Sequence, residues 1–259
     1  MTQLQNAIEA VGIQKRFGAV VAAADINLIV PAGQRVSLIG SNGAGKTTFV
    51  NMLTGYIRPD SGRILVHGDS IVGLLPRTIA RMGIARSFQV PQLFKDLSVV
   101  DNMLVAVASQ SGQLSSMRPG RNADALARAH ELLQRFELDR HADRRVGELP
   151  GGVRKLLDIA MALTRHPKVL LLDEPTSGVS ADEKFPLMET VMRALSQEAA
   201  TVLFVEHDMD IVARYSDRVV AFYSGRIIAD GAAEDVLANA DVQRHVTGHA
   251  PRGEAHAQA

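Results

Sequence analysis

Two short stretches carry residue types at spacings suited to handling phosphate. The first is GSNGAGKT, Gly40–Thr47. Its glycines let successive backbone N–H groups turn inward around phosphate oxygens, and a lysine and a hydroxyl complete the pattern. It follows the apolar run VSLI and opens a helical pattern reaching Leu53, so the partial positive charge of a helix N-terminus adds to the cradle. Lys46 is expected to reach the β and γ phosphates, and Thr47 to offer its hydroxyl to Mg²⁺. The second stretch is LLLDEPTS, Leu170–Ser177. Asp173 ends an apolar strand, where a carboxylate should pair with a metal rather than stay buried and bare. Glu174, facing the other way, can orient and deprotonate an attacking water, a general-base role worth roughly 10² to 10⁴ in rate. A strand ending in Asp-Glu means little alone, but beside a phosphate loop it points to nucleotide hydrolysis.

A third stretch poses an electrostatic problem. ELPGGVRKLLDIAMAL, Glu148–Leu163, sets Arg154 and Lys155 in the first turn of a helical pattern. Cations there oppose the helix dipole unless something negative lies nearby.

These stretches need a scaffold. Alternation in IEAVGI (Ile8–Ile13) and INLIV (Ile26–Val30) predicts half-buried strands. VSLI (Val36–Ile39), VLLLD (Val169–Asp173) and TVLFVEHD (Thr201–Asp208) are continuous apolar runs suited to strands of a parallel sheet covered on both faces. Helical stretches alternate with them, Lys184–Gln197 among them, which predicts an α/β core. Between Pro91 and His166 the pattern is mainly helical, with DNMLVAVA and ALARAHELLQRF at helical spacing and the segment SQSGQLSSMRPGRN as a loop. The expected organisation is therefore a core from residues 1–90 and 167–248, an inserted helical subdomain over 91–166, and a polar tail, 249–259, expected to be disordered at its end.

Composition narrows the function classes. With 259 residues and 46% hydrophobic content the chain can bury a real core. Lys plus Arg, 28, equals Asp plus Glu, 28, so no overall field favours nucleic acid or an anionic membrane. The absence of cysteine excludes disulfides and cysteine-ligated metals. The N-terminal sequence lacks the apolar core of a signal peptide, and no run approaches the length of a membrane span. A cytoplasmic protein is expected. His245, His249 and His256 are too loosely spaced to predict a metal site.

From Ile8 to Gly248 the sequence resembles the nucleotide-binding subunit of ABC transporters. The resemblance implies a P-loop NTPase core with an N-terminal antiparallel β region, a parallel sheet and an inserted helical subdomain, with ATP and Mg²⁺ as cofactors. It implies nucleotide contacts from Gly40, Ser41, Asn42, Gly43, Ala44, Gly45, Lys46, Thr47 and Thr48, and an aromatic stack on adenine from Phe17 in KRFGAV. Gln89 in RSFQVPQLF matches the Q-loop, a contact for Mg²⁺ or water alongside Thr47 and Asp173. His207 in FVEHDM matches the switch histidine that senses the γ phosphate, acting with Lys46 and Glu174 in catalysis. LPGGV, Leu149–Val153, occupies the place of the signature Leu-Ser-Gly-Gly-Gln, whose backbone, here Gly151 and Gly152, meets the ATP of the other subunit. That phosphate would supply the anion that Arg154 and Lys155 need.

Two positions depart from the family pattern: Pro150 replaces the signature serine and Val153 the glutamine. Ser180 also stands where an aspartate is common. Two copies of this chain would build two impaired sites, whereas a different partner with an intact signature would complete one full site here, so a heterodimer with unequal sites is expected. VPQLFKDLSVVDNMLVA, TSGVSAD and RHVTGHA look like subunits serving branched-chain amino-acid importers and related amide or urea importers. The implied partners are a second ATPase subunit, two membrane permease subunits and a periplasmic solute-binding protein, with the chain peripheral on the inner face of the cell membrane and no nucleic acid. The alternative is a non-catalytic, nucleotide-dependent regulatory or dimerisation subunit. A repair or translation ATPase would add a coiled-coil insertion or a second cassette, and a small-molecule kinase would not need Gly151, Gly152 and His207.

Overall fold

The computed structural model describes residues 5–109 and 123–248. In chain order its elements are β1 (Asn6–Phe17), β2 (Val20–Pro31), β3 (Arg35–Gly40), α1 (Lys46–Leu53), β4 (Ser61–Val66), β5 (Asp69–Ser70), α2 (Pro76–Arg81), β6 (Ile84–Ser87), α3 (Val99–Ala108), α4 (Ala123–Arg135), α5 (Gly151–Leu163), β7 (Val169–Asp173), α6 (Ala181–Leu195), β8 (Thr201–Val205), α7 (Met209–Tyr215), β9 (Arg218–Tyr223), β10 (Arg226–Gly231) and α8 (Ala233–Ala238). The described residues divide into two compact units, those up to Met82 together with those from Thr201 onward, and those between Gly83 and Ala200.

In the first unit, β1 pairs antiparallel with both β2 and β4, and β4 with β5, giving a sheet in the order β2-β1-β4-β5. Alternate residues of β1 and β2 are buried, Ile8, Ala10, Ile13, Ile26, Leu28 and Val30 among them, as expected of a sheet with one face on the core. His67 and Gly68 join β4 to β5 with φ of 49° and 88°, the two left-handed residues of a type I′ turn. The second set of strands runs β10-β9-β3-β8. Here β3 lies parallel to β8 and β9, while β9 and β10 form an antiparallel hairpin. Every residue of β8 and all but the first of β3 are buried, the outcome predicted from continuous apolar runs. Ile39, Val212, Val219, Ala221, Val236 and Val242 pack one core of this unit.

In the second unit β6 and β7 pair in parallel, Ile84 opposite Val169 through Ser87 opposite Leu172. Between them the chain is mainly helical. α3 is capped by Ser98, whose hydroxyl accepts from the Asp101 amide at 3.1 Å. α4 buries Ala125, Ala129, Leu132 and Leu133, one stripe at helical spacing. The unit takes in β7 and α6 as well as the helices before them. Residues 110–122, which hold most of the loop read from sequence, and the tail from residue 249 lie outside the described residues.

The N-terminal antiparallel sheet and the parallel strands behind the phosphate loop agree with the α/β class read from sequence. β4, β5, α2, β6, α7, β9, β10 and α8 were not anticipated. β5 has only two residues, which leaves periodicity little to act on, whereas β9, the apolar run RVVAFY, and β10 flank the turn dipeptide Ser224-Gly225, a hairpin signal that sequence reasoning missed.

Candidate functional site

The phosphate loop sits where a buried strand must turn into a helix, and its backbone explains its glycines. Gly40 has φ +153°, and a Cβ there would lie 2.4 Å from the Phe222 carbonyl oxygen. Gly45 has φ +106°, with a Cβ 2.4 Å from the Ala22 carbonyl oxygen. Only glycine fits either place. Gly43, with φ +79°, faces open space. The loop closes on itself through Ala44 N–H to Ser41 O at 3.1 Å, and Gly225 N–H, from the turn between β9 and β10, donates to Ala44 O at 3.0 Å. Lys46 is buried, and its ammonium donates to Gly40 O at 2.6 Å and Ser41 O at 3.1 Å, which holds it folded over the loop. α1 begins with no side-chain cap and no acidic residue in its first turn, so its leading N–H groups stay available to an anion. Thr47 is exposed, while Ser41 and Thr48 are half-buried.

Two further expected contacts belong to the same unit. Phe17 ends β1 and is 49% exposed, so its ring is not a core residue and can take a stacking partner. Lys15 Nζ lies 5.4 Å from its ring centroid. His207 is exposed on the loop after β8, and its N–H donates to Glu206 Oε2 at 3.0 Å. Glu206, buried at 3% exposure, also accepts from the Asp208 amide at 3.4 Å. It therefore fixes the backbone that carries His207, a role signalled in sequence only by an acid directly after an apolar strand.

The second unit holds Gln89, Asp173, Glu174 and the glycine pair. The structure brings Gln89 and Glu174 together: Gln89 Nε2 donates to Glu174 Oε2 at 2.6 Å. Glu174 adopts φ +48°, a left-handed conformation that costs a non-glycine residue about 1 kcal/mol or more and persists only where neighbours enforce it. Asp173, 6% exposed, is not bare. Its Oδ2 accepts from Arg86 at 2.5 Å, and Arg86 was not anticipated as its partner.

α5 starts at Gly151 behind Pro150, with no side-chain cap and no acid in its first turn. Neither Gly151 nor Gly152 has positive φ, and a Cβ would meet only ordinary contacts, 3.5 Å from Gly178 O at Gly151 and 3.7 Å from Leu187 Cδ1 at Gly152. Among the described residues nothing requires glycine at either position, although glycine costs a helix roughly 1 kcal/mol against alanine. Beside them opens a cleft of about 260 Å³ whose lining includes Gln89, Lys95, Gly151, Arg154 and Ser177 and no carboxylate.

Lys155 corrects the electrostatic reading made from sequence. It does not face an external anion: it is 3% exposed, and its Nζ donates to the carbonyls of Gln89 at 2.5 Å, Glu174 at 3.0 Å and Phe88 at 3.4 Å. Both residues border the cleft, but Arg154 is half-buried whereas the Lys155 ammonium is spent on these carbonyls. One turn on, Asp158 accepts from the Ser87 hydroxyl at 2.7 Å and from the amides of Phe88 at 3.0 Å and Gln92 at 3.2 Å. Burial pushes its carboxyl above the ordinary value, against the pull of those donors and of the Lys155 charge. An aspartate within the apolar run of LLDIAMAL was the available signal. Ser180 sits at the N-cap of α6, its hydroxyl donating to Glu183 at 2.8 Å. His245 stacks on Tyr223 with centroids 4.3 Å apart, while His249 and His256 lie outside the described residues.

Comparison with known proteins agrees with this arrangement. Residues 23–177 match the ABC transporter family. The chain is 38% identical over 246 residues to the high-affinity branched-chain amino acid transport ATP-binding protein LivG of Escherichia coli, covering 92% of this chain and 96% of that one. It is 37% identical over 250 residues to the corresponding protein BraF of Pseudomonas aeruginosa, covering 94% and 98%. The crystal structure of the ADP conformation of MJ1267, an ATP-binding cassette of an ABC transporter, superposes with a TM-score of 0.81 at 30% identity, covering 92% of this chain and 97% of that one. A closed glycine loop over a buried lysine, a strand-end Asp-Glu pair, and relatives matched over nearly their whole length lead to one conclusion: the chain belongs to the ABC transporter family, as an ATP-binding, ATP-hydrolysing subunit.

Proposed function

We propose that this subunit powers an importer of branched-chain amino acids, working as one half of an ATPase heterodimer. The solute is supported by similarity to LivG and BraF over more than nine-tenths of the chain. Urea or another amide has no comparable support.

In this reading the loop amides and Lys46 hold the phosphates, Phe17 stacks on the base, and His207 senses the terminal phosphate. Glu174, oriented by Gln89, takes the proton from the attacking water. Mg²⁺ would be held by Thr47, Gln89 and Asp173, the positions to which the family pattern assigns it. Among the described residues no group of three or more His, Asp or Glu could hold a metal alone, which suits an ion coordinated largely by phosphates and water. The ion would neutralise charge developing on the phosphoryl group.

The single observation carrying the two-subunit reading is the Gly151–Gly152 pair: glycines that their own chain does not require, at an uncapped helix start, beside a cleft with cations and no acid. Such a surface accepts close approach by an anion from outside. The loss of signature serine and glutamine at Pro150 and Val153 weakens that contact on this side and supports a partner of different sequence. Among the described residues no helix is long and apolar enough to cross a membrane, so membrane work falls to permease partners on whose cytoplasmic face the subunit would sit, supplied by a periplasmic binding protein.

The test is reconstitution in proteoliposomes with the second ATPase, the two permeases and the binding protein. ATP-dependent leucine uptake that stops with Glu174→Gln is expected. Leucine-independent hydrolysis without uptake would overturn the solute assignment. Equal loss of turnover from replacing either subunit's catalytic glutamate would overturn unequal sites.

A further inference from the structure

Lys155 has no place in the chemistry above, yet it is among the most expensive side chains in the second unit. An ammonium at 3% exposure must have its donors satisfied, and a methionine of similar length would fill the space at lower cost. Its three N–H groups meet three carbonyls, and all three belong to segments that carry the candidate chemistry: Phe88 and Gln89 of the Q-loop, and Glu174 itself. Asp158, three residues further along α5, collects the opposite polarity from the same loop, the amides of Phe88 and Gln92 and the Ser87 hydroxyl.

We propose that Lys155 and Asp158 form a positioning clamp that fixes Glu174 and Gln89 in their reactive arrangement from the signature helix. The inference rests on Glu174 as the catalytic base and adds residues that act through it. Glu174 is held at φ +48°, and its carbonyl oxygen is anchored there by Lys155 at 3.0 Å and the Ser177 amide at 3.1 Å. Without the ammonium, the peptide can relax toward negative φ. That rotation carries the Glu174 carboxylate away from Gln89 Nε2, 2.6 Å distant. The other half of the clamp stops the Q-loop from following. Because both residues stand within the first two turns of α5, whose first residue is Gly151, any displacement of the signature end reaches the base through two side chains rather than through the whole unit.

The test uses the absence of cysteine in the chain. Lys155→Met, Lys155→Cys and Glu174→Gln are compared with the unaltered chain for kcat and KM of ATP hydrolysis, nucleotide affinity and thermal unfolding. Lys155→Cys is also aminoethylated in the unfolded state and refolded beside an unaltered chain given the same treatment, restoring an ammonium at lysine length. Lys155→Met is expected to lower kcat about 10- to 100-fold with ATP affinity within about twofold and an undiminished melting temperature, and aminoethylation to recover most of the turnover. Asp158→Asn is expected to raise amide exchange at Phe88 and Gln92 and to lower kcat with the same unchanged affinity. Normal turnover in Lys155→Met while Glu174→Gln is arrested would overturn the clamp and leave the base in place. A loss of turnover that tracks falling stability and ATP affinity, and that aminoethylation fails to relieve, would make Lys155 a folding residue and overturn the clamp. Undiminished turnover in Glu174→Gln would remove the assignment on which it rests.

Discussion

Gly151→Ala should change stability and activity in opposite directions. Gly151 has no positive φ, and its Cβ would come no closer than 3.5 Å to Gly178 O, an ordinary van der Waals contact. Within the chain the substitution is free of strain, and restricting the unfolded backbone should stabilise it by about 0.4–1 kcal/mol. For a chain of this size that is roughly 1–4 °C in Tm. Between subunits the effect reverses. Gly151 lines the cleft, and a methyl group on that face holds off an anion that must come within hydrogen-bond distance of the helix-end amides. Losing one charge-assisted hydrogen bond costs about 1.5–3 kcal/mol, or roughly 10- to 100-fold in turnover at the weaker composite site, the one that holds the partner's nucleotide. The assay is steady-state ATP hydrolysis by the reconstituted complex carrying Glu174→Gln in this chain, so that turnover comes from the weaker site alone, alongside thermal unfolding of the isolated subunit. A variant that melts lower and turns over proportionately less would show that glycine serves the chain's own fold. Full turnover would show that nothing approaches this surface.

Other perturbations separate the parts of the account. Gly45→Ala places a methyl 2.4 Å from Ala22 O at φ +106°, and strain of about 1–3 kcal/mol before any clash should reduce ATP affinity at least tenfold by calorimetry, with Glu174→Gln keeping normal affinity. Pro186 interrupts the hydrogen-bond ladder inside α6, so Pro186→Ala should stabilise the chain by about 1–3 kcal/mol in urea unfolding; destabilisation would mean that the ring packs where alanine cannot. Burial works to raise the Glu198 carboxyl, but bonds from Arg135 at 2.6 Å and His166 at 3.1 Å outweigh it and hold the group below its ordinary value. The stability from this pairing is present above the unfolded value and lost as pH falls through the lower folded one. Glu198→Gln should therefore cost about 0.5–1 kcal/mol near pH 7, a small figure because the cluster borders solvent, and the difference from the unaltered chain should shrink below about pH 4. A difference that grew on acidification would contradict the sign.

What could be read from sequence follows the range of the forces involved. Gly40–Thr47 was legible because a phosphate cradle is local: glycine torsions, a lysine and a hydroxyl sit within eight residues. β3, β7 and β8 were legible because strands buried on both faces must be continuously apolar. Family resemblance pointed to Gln89 and Glu174 separately, but their contact was not legible, since 85 residues separate the two and no periodicity links them. Lys155 shows the limit most clearly. Its charge at a helix start suggested an outside anion, whereas tertiary packing turned it onto three carbonyls. Asp173 keeps its place among the expected metal positions, but its partner within the chain, Arg86, far away in sequence, was not readable. Solitary charges declare that a partner exists without saying which element brings it.

The two-subunit site is tested most directly by determining the structure of Glu174→Gln with Mg-ATP and the second ATPase subunit. The account requires the γ phosphate on this chain's loop to lie about 3 Å from amides of the partner's signature, with Gly151 and Gly152 facing the nucleotide of the partner. A triphosphate enclosed by this chain alone, with residues 149–153 turned to solvent, would contradict it.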